Sequence, residues 1–166
     1  MEDKQVKLII SYGNPGKRYA NSRSNIGFTI LDAVVKKIPS SWVMRSRFML
    51  FFLNANPLTV LVKPRTFENR FDDTAFNLYR FYKVVPDDFY IIYPDENLKF
   101  GQYEISKDSN VLPEPISKIE KKIQSKEWWK VRIGIMGASE ELNETELSII
   151  KHLGEKLADE LNFKLF

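Results

Sequence analysis

Two hydrophobic rhythms run along the chain. Leu8, Ile9 and Ile10 are contiguous, as expected of a strand covered on both faces, so Lys7 to Tyr12 is predicted to be a buried strand. Gly13-Asn14-Pro15-Gly16 follows, a sharp turn by composition. Asn25 to Lys37 is predicted as a helix stopped near Pro39, with Asn25 able to cap it. Arg47 to Asn54 and Leu58 to Lys63 are predicted strands of a hairpin turning through Asn56-Pro57. Phe71, Ala75, Leu78 and Tyr82 recur at helical spacing, so residues 70–83 should form an amphipathic helix.

Phe89 to Tyr93, Gly101 to Ile105 and Val131 to Ile135 are further strand candidates, and Ile116, Ile119 and Ile123 mark a short helix. Asn143, with Glu146 three residues on, resembles a capping box. Leu147, Ile150, Leu153, Leu157 and Leu161 then line one face of a last helix. The mixture predicts a single α/β domain over residues 1–166, with helices packed around a mixed central sheet.

Composition narrows the function classes. The 166 residues are 43% hydrophobic, with 12 Phe and 7 Tyr, a core-forming composition. No cysteine is present, which excludes disulfides and thiolate metal sites and fits an intracellular protein. The longest apolar run, Phe48 to Leu53, is strand-sized and far short of the roughly 18 residues a membrane helix needs. With no targeting segment visible, the expected location is the cytoplasm rather than an organelle or a membrane. Residues 1–83 hold 14 Lys/Arg against 6 Asp/Glu, whereas residues 84–166 hold 11 against 16. The first half is where a polyanionic partner would be placed, with an unevenly charged solvated surface as the equal alternative.

Three ordered blocks carry a resemblance. Tyr12-Gly13-Asn14-Pro15-Gly16, then Tyr19, Arg23-Ser24-Asn25 and Gly27-Phe28, resembles the opening signature of bacterial-type peptidyl-tRNA hydrolases. Lys63-Pro64-Arg65-Thr66-Phe67-Glu68-Asn69 resembles a second family segment, with Glu68 where methionine is usual, and Phe81-Tyr82-Lys83 matches the end of the helix after it. Trp128 to Ile135 resembles a third. The resemblance implies the family's α/β fold and its action on the ester joining a peptide to the 3′ end of tRNA. That chemistry needs a histidine as general base, a carboxylate to orient it, and amides that position the substrate and meet developing negative charge.

The chain departs from the pattern at these chemical positions. The family's histidine falls at Ser24, whose hydroxyl is no base near neutral pH. Its aspartate falls at Pro94, although a slip of one or two residues recovers Asp95 or Glu96. The histidine and asparagine of its glycine-rich loop fall at Pro113 and Glu114, and the only histidine, His152, lies on the polar face of the last helix. No metal or cofactor is expected.

The binding positions persist. Asn14, Tyr19, Asn25, Phe67 and Asn69 stand where the resemblance implies cleft-lining groups, and Lys17, Arg18, Arg23, Lys63, Arg65 and Arg70 cluster around them as candidates for RNA phosphates. Asn14 and Asn25 are equally readable as turn and cap residues, and Trp128-Trp129 as core rather than as a base-stacking pair. The leading expectation is an inactive family member that binds tRNA or another structured RNA, or a ribonucleoprotein such as a ribosome. A divergent hydrolase using Asp95 or Glu96, and a protein-interaction module, are the alternatives.

Overall fold

The computed structural model describes residues 5–36, 42–45, 48–53, 58–108 and 111–161. Among the described residues, seven strands form one sheet in the order β2-β3-β4-β1-β5-β7-β6. They are β1 (Val6–Ser11), β2 (Val43–Met44), β3 (Phe48–Leu53), β4 (Leu58–Pro64), β5 (Phe89–Lys99), β6 (Tyr103–Ser106) and β7 (Trp129–Met136). The helices are α1 (Ile26–Val35), α2 (Phe71–Phe81), α3 (Glu114–Ile123) and α4 (Glu144–Glu160). β4, β1, β5 and β7 run parallel through the middle. The outer strands β2, β3 and β6 are antiparallel to their neighbours.

The contiguous apolar residues of β1 have the predicted cause. Ile9 faces a core formed with α1 and α4, including Ile30, Leu31, Ile150 and Leu157. Leu8 and Ile10 face the opposite core, formed with α2 and α3, including Phe71, Leu78, Ile116 and Ile119. Each such side chain contributes roughly 1.5–3 kcal/mol by leaving water. Lys122 on α3 holds Asp72 and Asp73 in the first turn of α2 at 2.9 and 2.7 Å. The predicted capping box is present: Asn143 accepts from the Glu146 N–H at 2.9 Å, and Glu146 accepts from the Asn143 N–H at 3.1 Å.

Two features differ from expectation. The two-residue edge strand β2 carries no periodicity long enough to read. β5 does not stop at Tyr93 but continues through Pro94-Asp95-Glu96-Asn97, with an irregularity in its pairing between Asp95 and Lys99. The predicted hairpin turn at Asn56-Pro57 and the stop at Pro39 lie outside the described residues.

The Trp pair splits. Trp128 is fully buried near Phe89, whereas Trp129 stacks on Tyr90 at 5.9 Å. Lys107 lies over the Trp129 ring and Lys7 over the Tyr90 ring, each at 4.9 Å. That stack is therefore covered by the protein's own cations rather than open to a base. Lys130, in the third family-like block, is fully buried. Its ammonium donates to the carbonyls of Lys107, Lys126 and Trp128 and stands 3.4 Å from Glu120. It is a structural cation and contributes nothing to the surface charge.

The extension of β5 depends on Gly134. A Cβ there would lie 1.9 Å from the Lys99 carbonyl oxygen and 2.6 Å from its carbon, both backbone atoms that cannot rotate away. Gly134→Ala is expected to lower stability by at least about 1–3 kcal/mol, the usual range for overpacking, measured as the urea midpoint. Gly137→Ala, where a Cβ would meet nothing within 4 Å but the backbone has φ +88°, should show only the smaller strain of a left-handed conformation.

Candidate functional site

The site lies where β1, β4 and β5 end. Asn25, only 1% exposed, accepts a hydrogen bond from the Asn14 N–H at 2.9 Å and donates its amide to the Asn14 carbonyl at 2.6 Å. The Asn14 side chain accepts from the Glu68 N–H at 2.9 Å. Two neutral amides thus join the turn after β1, the start of α1 and the loop between β4 and α2. Asn25 is not the expected cap. It occupies the N-cap position of α1 without a capping bond, while Ser22 accepts from the Ser24 N–H at the start of the preceding 3₁₀ turn. Asn25 is too deeply placed to touch a ligand.

Behind this turn is an open cavity of about 500 Å³. One wall is Ser22, Arg23 and Ser24; a second is Tyr93 to Asn97 of β5; Val111 to Pro113, Ile135 and Glu140 complete it. The structure thus brings together Ser24, Pro94, Asp95, Glu96 and Pro113, all singled out in the sequence. The Ser24 hydroxyl lies 2.7 Å from that of Ser22. Asp95 uses both oxygens: one accepts from the Asn97 N–H and the other from Arg132, each at 2.8 Å. Arg132 in turn holds Glu104 at 2.6 Å. Glu96 is exposed on the rim. Burial pushes the Tyr93 phenol well above its ordinary value, so it keeps its proton and is no base. Pro113 precedes α3, and Glu114 pairs with Lys118 inside that helix rather than facing the cavity wall. His152 is exposed on α4, beside a different hollow lined by Gly101, Ser148 and Lys156.

Beside the cavity is a basic and aromatic surface. Lys17, Arg18, Arg65, Asn69 and Arg70 are exposed. Phe67 is 54% exposed and meets Tyr19 edge-on at 6.3 Å, with the Arg18 guanidinium 5.7 Å from the Tyr19 ring. Arg65 donates to the Arg45 carbonyl at 3.1 Å.

Two other candidate cations are engaged within the fold. Lys63 pairs with Asp32 at 2.5 Å, lies over the Trp42 ring at 4.7 Å, and is largely covered. Arg23 donates its guanidinium to the Ala138 carbonyl at 3.2 Å and its backbone N–H to the Glu140 carbonyl at 3.0 Å. A hydrogen bond from the Leu142 N–H to the Asn21 carbonyl and a bridge between Ser22 and Glu141 continue the same junction.

Sequence reasoning missed this 138–142 loop as a cavity wall, because its partners lie far away in the chain and no local pattern marks them. It missed Tyr12 as well. That ring is buried against Phe71 at 5.1 Å, near Glu68. Burial first, and then the Glu68 charge and hydrogen bond, push its pKa up.

Asn25→Ala is expected to cost roughly 1–3 kcal/mol, the range for leaving buried polar groups unmet, since the N–H and carbonyl of Asn14 both lose their partner. Asn25→Asp should retain the acceptor but lose the donor. Denaturant titrations of both variants check the order, with Asn25→Gln expected to fail to restore the parent because the longer amide misses its partners.

Comparison with known proteins agrees with the geometry. The peptidyl-tRNA hydrolase family model matches residues 8–161. The peptidyl-tRNA hydrolase of Mesomycoplasma hyopneumoniae (strain 7448) is 33% identical over 131 residues, 78% of this chain and 70% of that protein. The one from Thermoanaerobacter sp. (strain X514) is 30% identical over 161 residues, 95% and 87% of the two chains. The crystal structure of peptidyl-tRNA hydrolase from Acinetobacter baumannii superposes with a TM-score of 0.82 at 19% identity, covering 99% of this chain and 91% of that one, a likeness of fold. With the sequence match running from β1 to the end of α4, the chain belongs to the peptidyl-tRNA hydrolase family.

Proposed function

We propose that this chain holds tRNA, or another structured RNA, free or in a ribonucleoprotein such as a ribosome, on the surface beside its cavity without cleaving an ester. Its expected setting is the cytoplasm; none of the described helices is long and apolar enough to cross a membrane. The observation that carries the reading is the state of the cavity's polar groups. Ser24 is bonded to Ser22, Asp95 has both oxygens engaged, and the chain's one histidine is on another face. A general base contributes roughly 10²–10⁴-fold to such a reaction. A serine hydroxyl cannot replace imidazole, and Asp95, held by a guanidinium and an N–H, has no histidine beside it to orient.

The binding half has support of its own. Phe67 offers an exposed ring for stacking on an unpaired base. Lys17, Arg18, Arg65 and Arg70 surround it as phosphate partners. One observation favours the second reading, a divergent hydrolase: Glu96 lines the cavity, is exposed, and has no ion-pair partner among the described residues.

Incubation with peptidyl-tRNA is expected to give no release of tRNA above background. Ser24→His alone should restore little, because Asp95 remains committed to Arg132. Turnover by the parent that disappears in Glu96→Ala would establish the hydrolase reading instead.

Binding is expected to weaken as salt rises. Alanine at Arg65 and Arg70 should flatten the dependence of log affinity on log salt by about one unit for each cation removed from a phosphate. Phe67→Ala should cost on the order of 1–3 kcal/mol of binding with the slope unchanged. Lys63→Ala, despite its place in the basic segment, should lower stability through loss of its Asp32 pairing and leave the slope unaltered. Lys151→Ala and Lys156→Ala on α4 serve as controls. If structured RNA fails to bind even at low salt, the RNA reading is wrong.

A further inference from the structure

A second hollow, of about 450 Å³, lies at the other end of the sheet from the cleft, where Gln5 and Val6 begin β1. Phe81, Tyr82 and Val85, at the end of α2 and just beyond it, form its apolar walls together with Val6. Lys83 and Asp88 bring charge to its lining. Phe81 is 76% exposed and Val85 50%. Single exposed apolar side chains are ordinary on a protein surface. Two around one hollow, joined by Val6 and Tyr82, make a patch of the kind that marks a contact.

The way α2 ends fixes this patch. The Val84 N–H donates to the Tyr79 carbonyl at 3.0 Å and the Lys83 N–H to the Arg80 carbonyl at 3.1 Å, with Lys83 left-handed at φ 52°. Glycine usually makes this kind of stop. The turn buries Val84 and leaves Lys83 and Val85 exposed. Lysine carries a backbone strain here that glycine avoids. Its ammonium makes no hydrogen bond or ion pair among the described residues, so the charge is open to a partner.

The uncompensated charge around the hollow is positive. Asp88 accepts from the Gln5 amide and has Lys7 nearby. Arg45 stands close enough to the Tyr82 phenol to oppose the rise in pKa that burial causes there. Arg80 is exposed, with its guanidinium over the Phe76 ring at 5.6 Å. Arg45, Arg80 and Lys83 make no ion pair among the described residues. The Phe81 and Tyr82 rings meet at 87° with centroids 4.9 Å apart, so together they form a corner. A corner completed by two valines suits an inserted apolar side chain better than a nucleic-acid base, which stacks on a flat ring face.

We infer that the end of α2 is a docking surface for an acidic segment of a partner protein, which inserts one bulky apolar side chain between Phe81, Tyr82 and Val85 and sets its carboxylates against Lys83 and Arg45. The inserted side chain supplies most of the contact, and the cations select the sign of the partner's charge. The surface stands at the start of β1, whereas the cleft lies where β1, β4 and β5 end. A partner here leaves the cleft open, and the inference holds or fails independently of the RNA reading.

The test titrates the full chain with hexapeptides blocked at both ends and follows its NMR amide signals. Asp-Glu-Leu-Phe-Glu-Asp is expected to shift Tyr82, Lys83, Val85 and Asp88. Replacing its Leu-Phe by Ser-Ser should weaken binding about tenfold, through loss of the apolar burial. Replacing its four acids by lysine should weaken it about fivefold, the upper range for an exposed ion pair. Phe81→Ser should reproduce the first loss. Lys83→Gly should weaken the acidic peptide while keeping thermal stability at or above that of the parent, because glycine relieves the left-handed strain; a lost contact is thereby separated from a lost fold. No shift around Lys83, equal affinity for the lysine peptide, or parental binding by Phe81→Ser overturns the inference. Tighter binding of hexauridylate than of the acidic peptide at these residues would assign the surface to RNA and overturn it as well.

Discussion

The buried amide of Asn25 is the point on which the site depends. Its two hydrogen bonds to Asn14 leave neither the turn's N–H nor its carbonyl unsatisfied, and Asn14 passes the connection to Glu68. The arrangement works because it is neutral. A buried charge would need a countercharge nearby, whereas an amide can donate and accept within one plane. Through these bonds the end of β1 fixes the start of α1, which carries Ser24 just before it, and the loop that carries Phe67 and Asn69. The basic surface and the cavity are held in register by a junction that contacts neither a phosphate nor a reacting group.

This junction gives the two asparagines a structural duty of their own. The asparagines are required for the fold of the turn whether or not a reaction takes place on it. Ser24 has no such second duty: its hydroxyl meets only the neighbouring Ser22. Asp95 does have one, because its bond to Arg132 links β5 to β7 and, through Glu104, to β6. A carboxylate can therefore persist there for reasons of packing alone, and its presence does not imply a histidine to orient. The same reasoning applies to the cations. Lys63 keeps its charge for Asp32 and Lys130 for Glu120 and three carbonyls, so neither measures the attraction of this surface for a polyanion.

What the sequence made legible followed from local rules. The contiguous apolar residues of β1, the helical spacing of Phe71 to Tyr82 and the Asn143–Glu146 box each contain their cause within a few residues, and each appeared in the structure. The ordered motif blocks located one face of the cavity for the same reason. Long-range partnerships were not legible. Pro94-Asp95-Glu96-Asn97 has the composition of a turn, yet β7 pairs with it and extends the strand, with room made by the missing side chain of Gly134. Nothing near Arg23 in the sequence showed that the 138–142 loop would supply a carbonyl for its guanidinium. Nothing near Lys63 showed that α1 would supply Asp32 to it.

The position of Glu68 shows how a change of residue type can alter a site without disturbing its frame. Methionine at this place needs only apolar neighbours. Glutamate brings a charge, which stands near the buried Tyr12 phenol and helps to push its pKa up. The backbone of Glu68 is fixed by Asn14 as before, so its neighbour Phe67 remains exposed against Tyr19. A negative charge now stands within an otherwise basic segment, adding to those of Glu96 and Glu140 at the cavity. The surface retains four exposed cations around its aromatic pair, but they are interrupted by a carboxylate.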